Sequence, residues 1–120
     1  MAEIIPVMLR AAGYECGAVS EHKAILQTVK RVRKHDLIVC QVAVLEREEE
    51  LLTWVLGIGR DIPVLATAVR SWPEIPEVIQ ERCSFLRVPF GRDMLLHTVR
   101  ETLNDHTARV FFPEIAMITD

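Results

Sequence analysis

Apolar and polar positions along this chain alternate between two rhythms, one helical and one extended. Ile4, Ile5, Met8 and Leu9 share a helical period between Glu3 and Ala12, and Gly13 supplies the stop. Pro6 falls in the first turn or so of that predicted helix, where a missing N–H costs little. Tyr14 to Val19 fits a short strand, and Ser20 is placed to cap a second helix with Ala24, Ile25, Val29 and Val32 inward. Asp36 to Gln41 reads as a buried strand ending on a polar side chain. The acidic run Glu46, Glu48, Glu49 and Glu50 continues into Leu51, Leu52, Val55 and Ile58, which predicts one helix with a negative first turn; Gly57 and Gly59 loosen its end. Ile62 to Ala68 is another strand, with a hydroxyl at Thr67. Ser71-Trp72-Pro73-Glu74 opens a helix that Pro76 keeps short or distorted. Ser84 to Phe90 is a strand closing on Val88-Pro89, and from Asp93 a last helix turns Leu95, Leu96, Val99 and Leu103 inward.

Strands thus alternate with helices, and Leu37 to Val39 and Val64 to Ala66 are nearly continuous apolar runs. That pattern belongs to a parallel sheet covered on both faces. The 120 residues contain no internal repeat, low-complexity tract or linker, so residues 1–120 are expected to form a single domain.

Composition narrows the function classes. Half the residues are hydrophobic, enough for a real core, and the net charge of −3 gives no overall electrostatic case for nucleic acid. The basic run Lys30, Arg31, Arg33, Lys34 and His35 is a conceivable anion patch, but cations at a helix C-terminus are favoured by the helix dipole alone. The same dipole accounts for the acids at Glu46 to Glu50. The apolar run around Leu37 to Leu45 is too short to span a bilayer, and no secretory signal pattern opens the chain. Cys16, Cys40 and Cys83 lack metal-ligand spacing and cannot all pair, which suits free thiols in the cytoplasm. His22, His35, His97 and His106 are scattered without metal spacing. No cofactor and no metal site are expected.

The order of strand endings, Gln41, then Thr67-Ala68, then Val88-Pro89-Phe90 followed by Asp93 and Leu95-Leu96, resembles the receiver domain of bacterial response regulators. The resemblance covers nearly the whole chain. It implies a flavodoxin-like, doubly wound five-stranded parallel sheet. It also implies that the three strands end on a phosphoacceptor Asp, a Ser/Thr and a Lys-Pro, positions held here by Gln41, Thr67 and Val88-Pro89. Phe85 stands where the family carries an aromatic switch residue, and the family's usual cis X-Pro bond would fall at Val88-Pro89.

A receiver begins with a strand that ends in two acids, whereas this chain opens on the helix that would follow it. Glu114 to Asp120 has the character of the missing strand. Joined to the N-terminus, Ile118-Thr119-Asp120-Met1-Ala2-Glu3-Ile4 runs in register with the family pattern, placing Asp120 on the second acidic position and Thr119 on the first. Without that strand two helices would expose apolar faces and the Asp36 strand an unpaired edge. The C-terminal segment is therefore expected to fill the first-strand slot, either within one chain as a permutation or in a partner by strand exchange.

The phosphoryl chemistry of the family is expected to be lost. An amide at Gln41 cannot form an acyl phosphate. Gln41 and Thr119 remove two of three acids from the Mg²⁺ site, leaving Asp120 alone, and Val88 replaces the lysine. Glu48 and Glu49 replace the Asp and Gly typical of the family's loop. These losses predict a non-enzymatic, phosphorylation-independent pseudo-receiver that acts as a protein–protein interaction module in signalling. Its surface would be formed by Trp72, Phe85, Arg87 and Arg92, with a protein partner or a second copy in a homodimer. Burial of Trp72 against the last helix is the alternative for that residue. The alternative function is a small-molecule module whose pocket at the strand C-terminal ends is lined by Gln41, Thr67 and Asp120; Gln41 and Thr67 offer hydrogen bonds without charge, which suits a neutral ligand better than a phosphate. Neither membrane nor nucleic acid is expected as a partner.

Overall fold

In the computed structural model, which describes residues 4–19, 24–25, 27, 36–57, 62–106 and 114–118, five strands form one all-parallel sheet. The elements in chain order are α1 (Ile4–Ala11), β1 (Glu15–Val19), β2 (Leu37–Gln41), α2 (Val42–Arg47), α3 (Glu49–Leu56), β3 (Val64–Ala68), a 3-10 turn (Trp72–Glu74), α4 (Glu77–Arg82), β4 (Ser84–Arg87), α5 (Arg92–His106) and β5 (Glu114–Ile118). Ala24, Ile25 and Gln27 are also helical. The strands lie in the order β1-β5-β2-β3-β4. β5 thus enters the sheet between β1 and β2 of its own chain, with Glu15 opposite Glu114 on one side and Leu37 opposite Ile115 on the other. The result is an α/β fold of flavodoxin-like architecture with a permuted strand order, in which the C-terminal strand occupies the slot next to β2.

Pleating sorts the core into two layers. Leu37, Val39, Leu65, Ile115 and Met117 face α1 and α5, where they meet Ile5, Leu9, Leu95, Leu96, Val99 and Leu103. Ile38, Cys40, Val64, Ala66, Ala116 and Ile118 point the other way, toward Ile25, Val44, Leu45, Leu51, Val55 and Ile79. Both faces are covered, which is why the central strands read as continuous apolar runs rather than as an alternation. Among the described residues no helix is long and apolar enough to cross a membrane.

Local chemistry fixes the element ends. Gly13 takes φ +97°, and the backbone N–H groups of Gly13 and Tyr14 donate to the carbonyls of Arg10 and Leu9 at 3.1 and 3.0 Å. This closes α1 with a left-handed glycine, as a Schellman motif does. Arg10 Nε then donates to the Cys16 carbonyl at 2.9 Å, tying the helix end to β1.

Three sequence expectations need correction. The helix expected over the acidic run is two helices, broken at Glu48, whose φ −97° and ψ 89° are not helical. Glu46 therefore sits in the last turn of α2, and only Glu49 and Glu50 occupy a first turn. Ser71-Trp72-Pro73 opens a single 3-10 turn, and the α-helix starts only after Pro76, which is its N-cap. The last of the three strands stops at Arg87 rather than Phe90, and the Val88–Pro89 bond is cis. The basic run 30–35, Ser20, His22, Gly59, Thr119 and Asp120 lie outside the described residues.

Candidate functional site

The C-terminal ends of β2 and β3 bring two polar side chains together. Gln41 is the last residue of β2 and pairs in register with Thr67 of β3. Past the end of β4, the Val88 N–H continues the ladder to the Ala68 carbonyl at 2.8 Å. These three positions open on one cavity of about 310 Å³, whose other lining residues are Ala43, Ala68, Val69 and Arg70. A volume of that order suits a small organic molecule rather than a lone water. Gln41, Thr67 and Val88, singled out in the sequence, line the same cavity. Phe85 and Pro89 are not among its lining residues. The remaining proposed member, Asp120, lies outside the described residues.

The polar groups of the cavity are only partly spent. Gln41 is the N-cap residue of α2, yet its side chain makes no capping hydrogen bond. Thr67 is 2 % exposed, and among the described residues nothing bonds its hydroxyl. Thr67 is one of the residues that line the cavity. Arg70 adds a guanidinium to the lining and bonds the Glu46 carboxylate of α2. Both of these side chains are about one-third exposed, so the pair can open without desolvating either charge. Arg70 and Glu46 were missed in the sequence. The usable signal was position: loops leaving the carboxyl ends of parallel strands build the crevice of such sheets.

A second group of residues gathers beyond β3. Trp72 is 38 % exposed, and its ring meets that of Phe85 at a centroid distance of 5.0 Å and an interplanar angle of 55°. The aromatic partner of Trp72 is therefore β4, not the last helix. Gln80 of α4 holds the turn from below, its Nε2 donating to the carbonyls of Trp72 and Ile75 at 2.6 and 2.9 Å. Arg87 and Arg92 are exposed, and Arg87 Nε reaches the Val69 carbonyl at 3.4 Å. Val69 and Val78 also expose their side chains.

The cysteines take no part in either group. Cys40 is fully buried, its Sγ donating to the Gln41 carbonyl at 3.4 Å. Burial pushes the Cys16 and Cys83 thiols from 9.0 up to about 11, an effect that Arg10 and Arg82 oppose without cancelling. The unfolded chain releases these two protons near pH 9, whereas the folded chain keeps them to about 11. Stability from this source is complete below pH 9 and is lost as pH rises through 11. The urea midpoint is accordingly expected to fall between these pH values, and a Cys16→Ala, Cys83→Ala variant to show a flatter decline. An equally steep decline in the variant would assign the effect elsewhere. Among the described residues no three His, Cys, Asp or Glu side chains converge as metal ligands.

Comparison with protein-family models, curated proteins and solved structures yields no match.

Proposed function

We propose that this domain is a non-enzymatic, phosphorylation-independent docking module of receiver-like character that presents Trp72, Phe85, Arg87 and Arg92 to a protein partner. The observation that carries this reading is the Trp72–Phe85 pair. A large, partly exposed aromatic side chain packs on a neighbouring ring, and its backbone turn is held by two hydrogen bonds from Gln80 to the carbonyls of Trp72 and Ile75. Pre-ordered Trp with Arg at its margin is the composition of interface hot spots, and ordering in the free state lowers the entropy cost of binding. With Gln41 at the end of β2, the chain has no carboxylate nucleophile there, which supports regulation by contact rather than by phosphoryl transfer.

The version to test first is self-association. Light scattering over a dilution series is expected to show a dimer for the wild type and a monomer for Trp72→Ala. The variant should stay folded with a cooperative transition at a moderately lower thermal midpoint, because it loses the aromatic pair, about 0.5–1.5 kcal/mol, together with part of a half-buried side chain's area. Acetyl phosphate with Mg²⁺ should alter neither the intact mass nor the dimer. A wild type that is monomeric at every concentration removes self-association, and unfolding of Trp72→Ala makes Trp72 a core residue.

A second reading, ligand binding at the strand ends, is favoured by a separate observation. Gln41 and Thr67 line a common cavity, and among the described residues neither side chain makes a hydrogen bond.

A further inference from the structure

We infer that the cavity at the ends of β2 and β3 takes a small organic carboxylate with an apolar body, anchored by Arg70, and that Glu46 is its internal competitor. The inference rests on the second reading above and goes beyond it by assigning the ligand's charge and shape.

The lining divides into two chemistries. Ala43, Ala68, Val69 and Val88 supply an apolar wall, and Gln41, Thr67 and Arg70 supply a convergent polar set. An uncharged polar ligand would satisfy Gln41 and Thr67 but would leave the guanidinium to Glu46. A strongly hydrated inorganic anion would answer Arg70 but gain nothing from the alanine and valine wall. A carboxylate on a compact apolar body uses both. Its oxygens match the planar fork of Arg70 and can accept from the Thr67 hydroxyl and the Gln41 amide N–H. Its body displaces water from the apolar wall. The volume of about 310 Å³ holds a single substituted ring.

Arg70 already bonds a carboxylate from its own chain, that of Glu46. A tethered competitor of this kind acts at a high effective concentration and weakens the apparent affinity for any external carboxylate. It also makes the exchange charge-neutral. One carboxylate leaves the guanidinium for solvent, which Glu46 already touches, and another takes its place. The arrangement therefore predicts an unusual sign: removing a negative charge from Glu46 should tighten binding rather than disturb it.

The test uses the intact chain with benzoate, benzamide and inorganic phosphate as probes, followed by ¹H–¹⁵N chemical shifts and thermal midpoint. Benzoate is expected to bind about tenfold or more tightly than benzamide, the difference of a charge-assisted bidentate contact. It should shift the amides of Gln41, Thr67 and Arg70. Glu46→Gln should strengthen benzoate binding, Arg70→Gln should abolish it, and Arg70→Lys should restore part of it. Trp72→Ala should leave it unchanged, since Trp72 is not in the lining. Equal binding of benzamide, or binding of phosphate in place of benzoate, overturns the carboxylate assignment while leaving the cavity a ligand site. No response to any of the three overturns both. Unaltered or weaker benzoate binding in Glu46→Gln overturns the competitor role.

Discussion

Deleting residues 114–120 is expected to abolish the folded state rather than to shorten the domain. β5 is paired along both edges, to β1 and to β2, so its loss separates β1 from the rest of the sheet. Ile115 and Met117 belong to one core layer and Ala116 and Ile118 to the other, and all four are at most 2 % exposed. Burial of the three larger side chains alone contributes roughly 1.5–3 kcal/mol each. Their sum is comparable with the whole folding free energy of an ordinary domain, about 5–15 kcal/mol. The truncated chain should lose dispersion in its amide NMR spectrum and show no cooperative urea transition. A native-like transition after truncation would mean that the four remaining strands form an independent sheet, contrary to the pairing described. The milder Met117→Ala should keep the fold and cost about 2–5 kcal/mol.

The second large effect is expected at Arg82, which is in neither the cavity lining nor the proposed docking set. Its Nε donates to the Val55 carbonyl at 2.9 Å and its Nη2 to the Ile62 carbonyl at 2.7 Å. Val55 lies near the end of α3, and Ile62 just precedes β3, so one guanidinium from α4 fixes both ends of the connection between them. Arg82→Met keeps the aliphatic stem and removes every donor. It leaves partly buried carbonyls unpaired, at a cost of roughly 2–3 kcal/mol in urea unfolding. Arg82→Lys should recover less than half, because a point ammonium cannot span two acceptors as a fork does. A change under about 0.5 kcal/mol for Arg82→Met would place the pair among ordinary surface contacts.

The sequence made the layers legible because burial on both faces leaves a coarse signature, a run of apolar residues bounded by polar ends. That signature identified β2, β3 and the inward residues of α5 together, and the polar ends themselves pointed to Gln41 and Thr67. β5 was legible for the same reason, and its place in the sheet was expected from the receiver resemblance, whose first-strand slot would otherwise stand empty beside β2. Less visible was anything set by contact between segments distant in the chain. The helical period through Val44, Glu48, Leu51 and Val55 runs on without interruption, so nothing in that stretch marks the break at Glu48; tertiary fit overrides local propensity there. Arg70 and Glu46 look like ordinary surface charges until the loops after β2 and β3 are brought side by side. Their meeting turns a pocket read as neutral into one with a cationic wall.

The position of β5 also sets a timetable. Among the described strands β1 pairs with β5 alone, and it precedes β5 by almost the full length of the described chain. During synthesis β1 must therefore wait, unpaired, until β5 has been translated, while β2, β3 and β4 can already associate. Pairing across so large a sequence separation is slow to find. The nascent chain accordingly passes through a stage in which the apolar flank of β2 lies bare, and a chaperone acting on this protein would have its work concentrated at that moment.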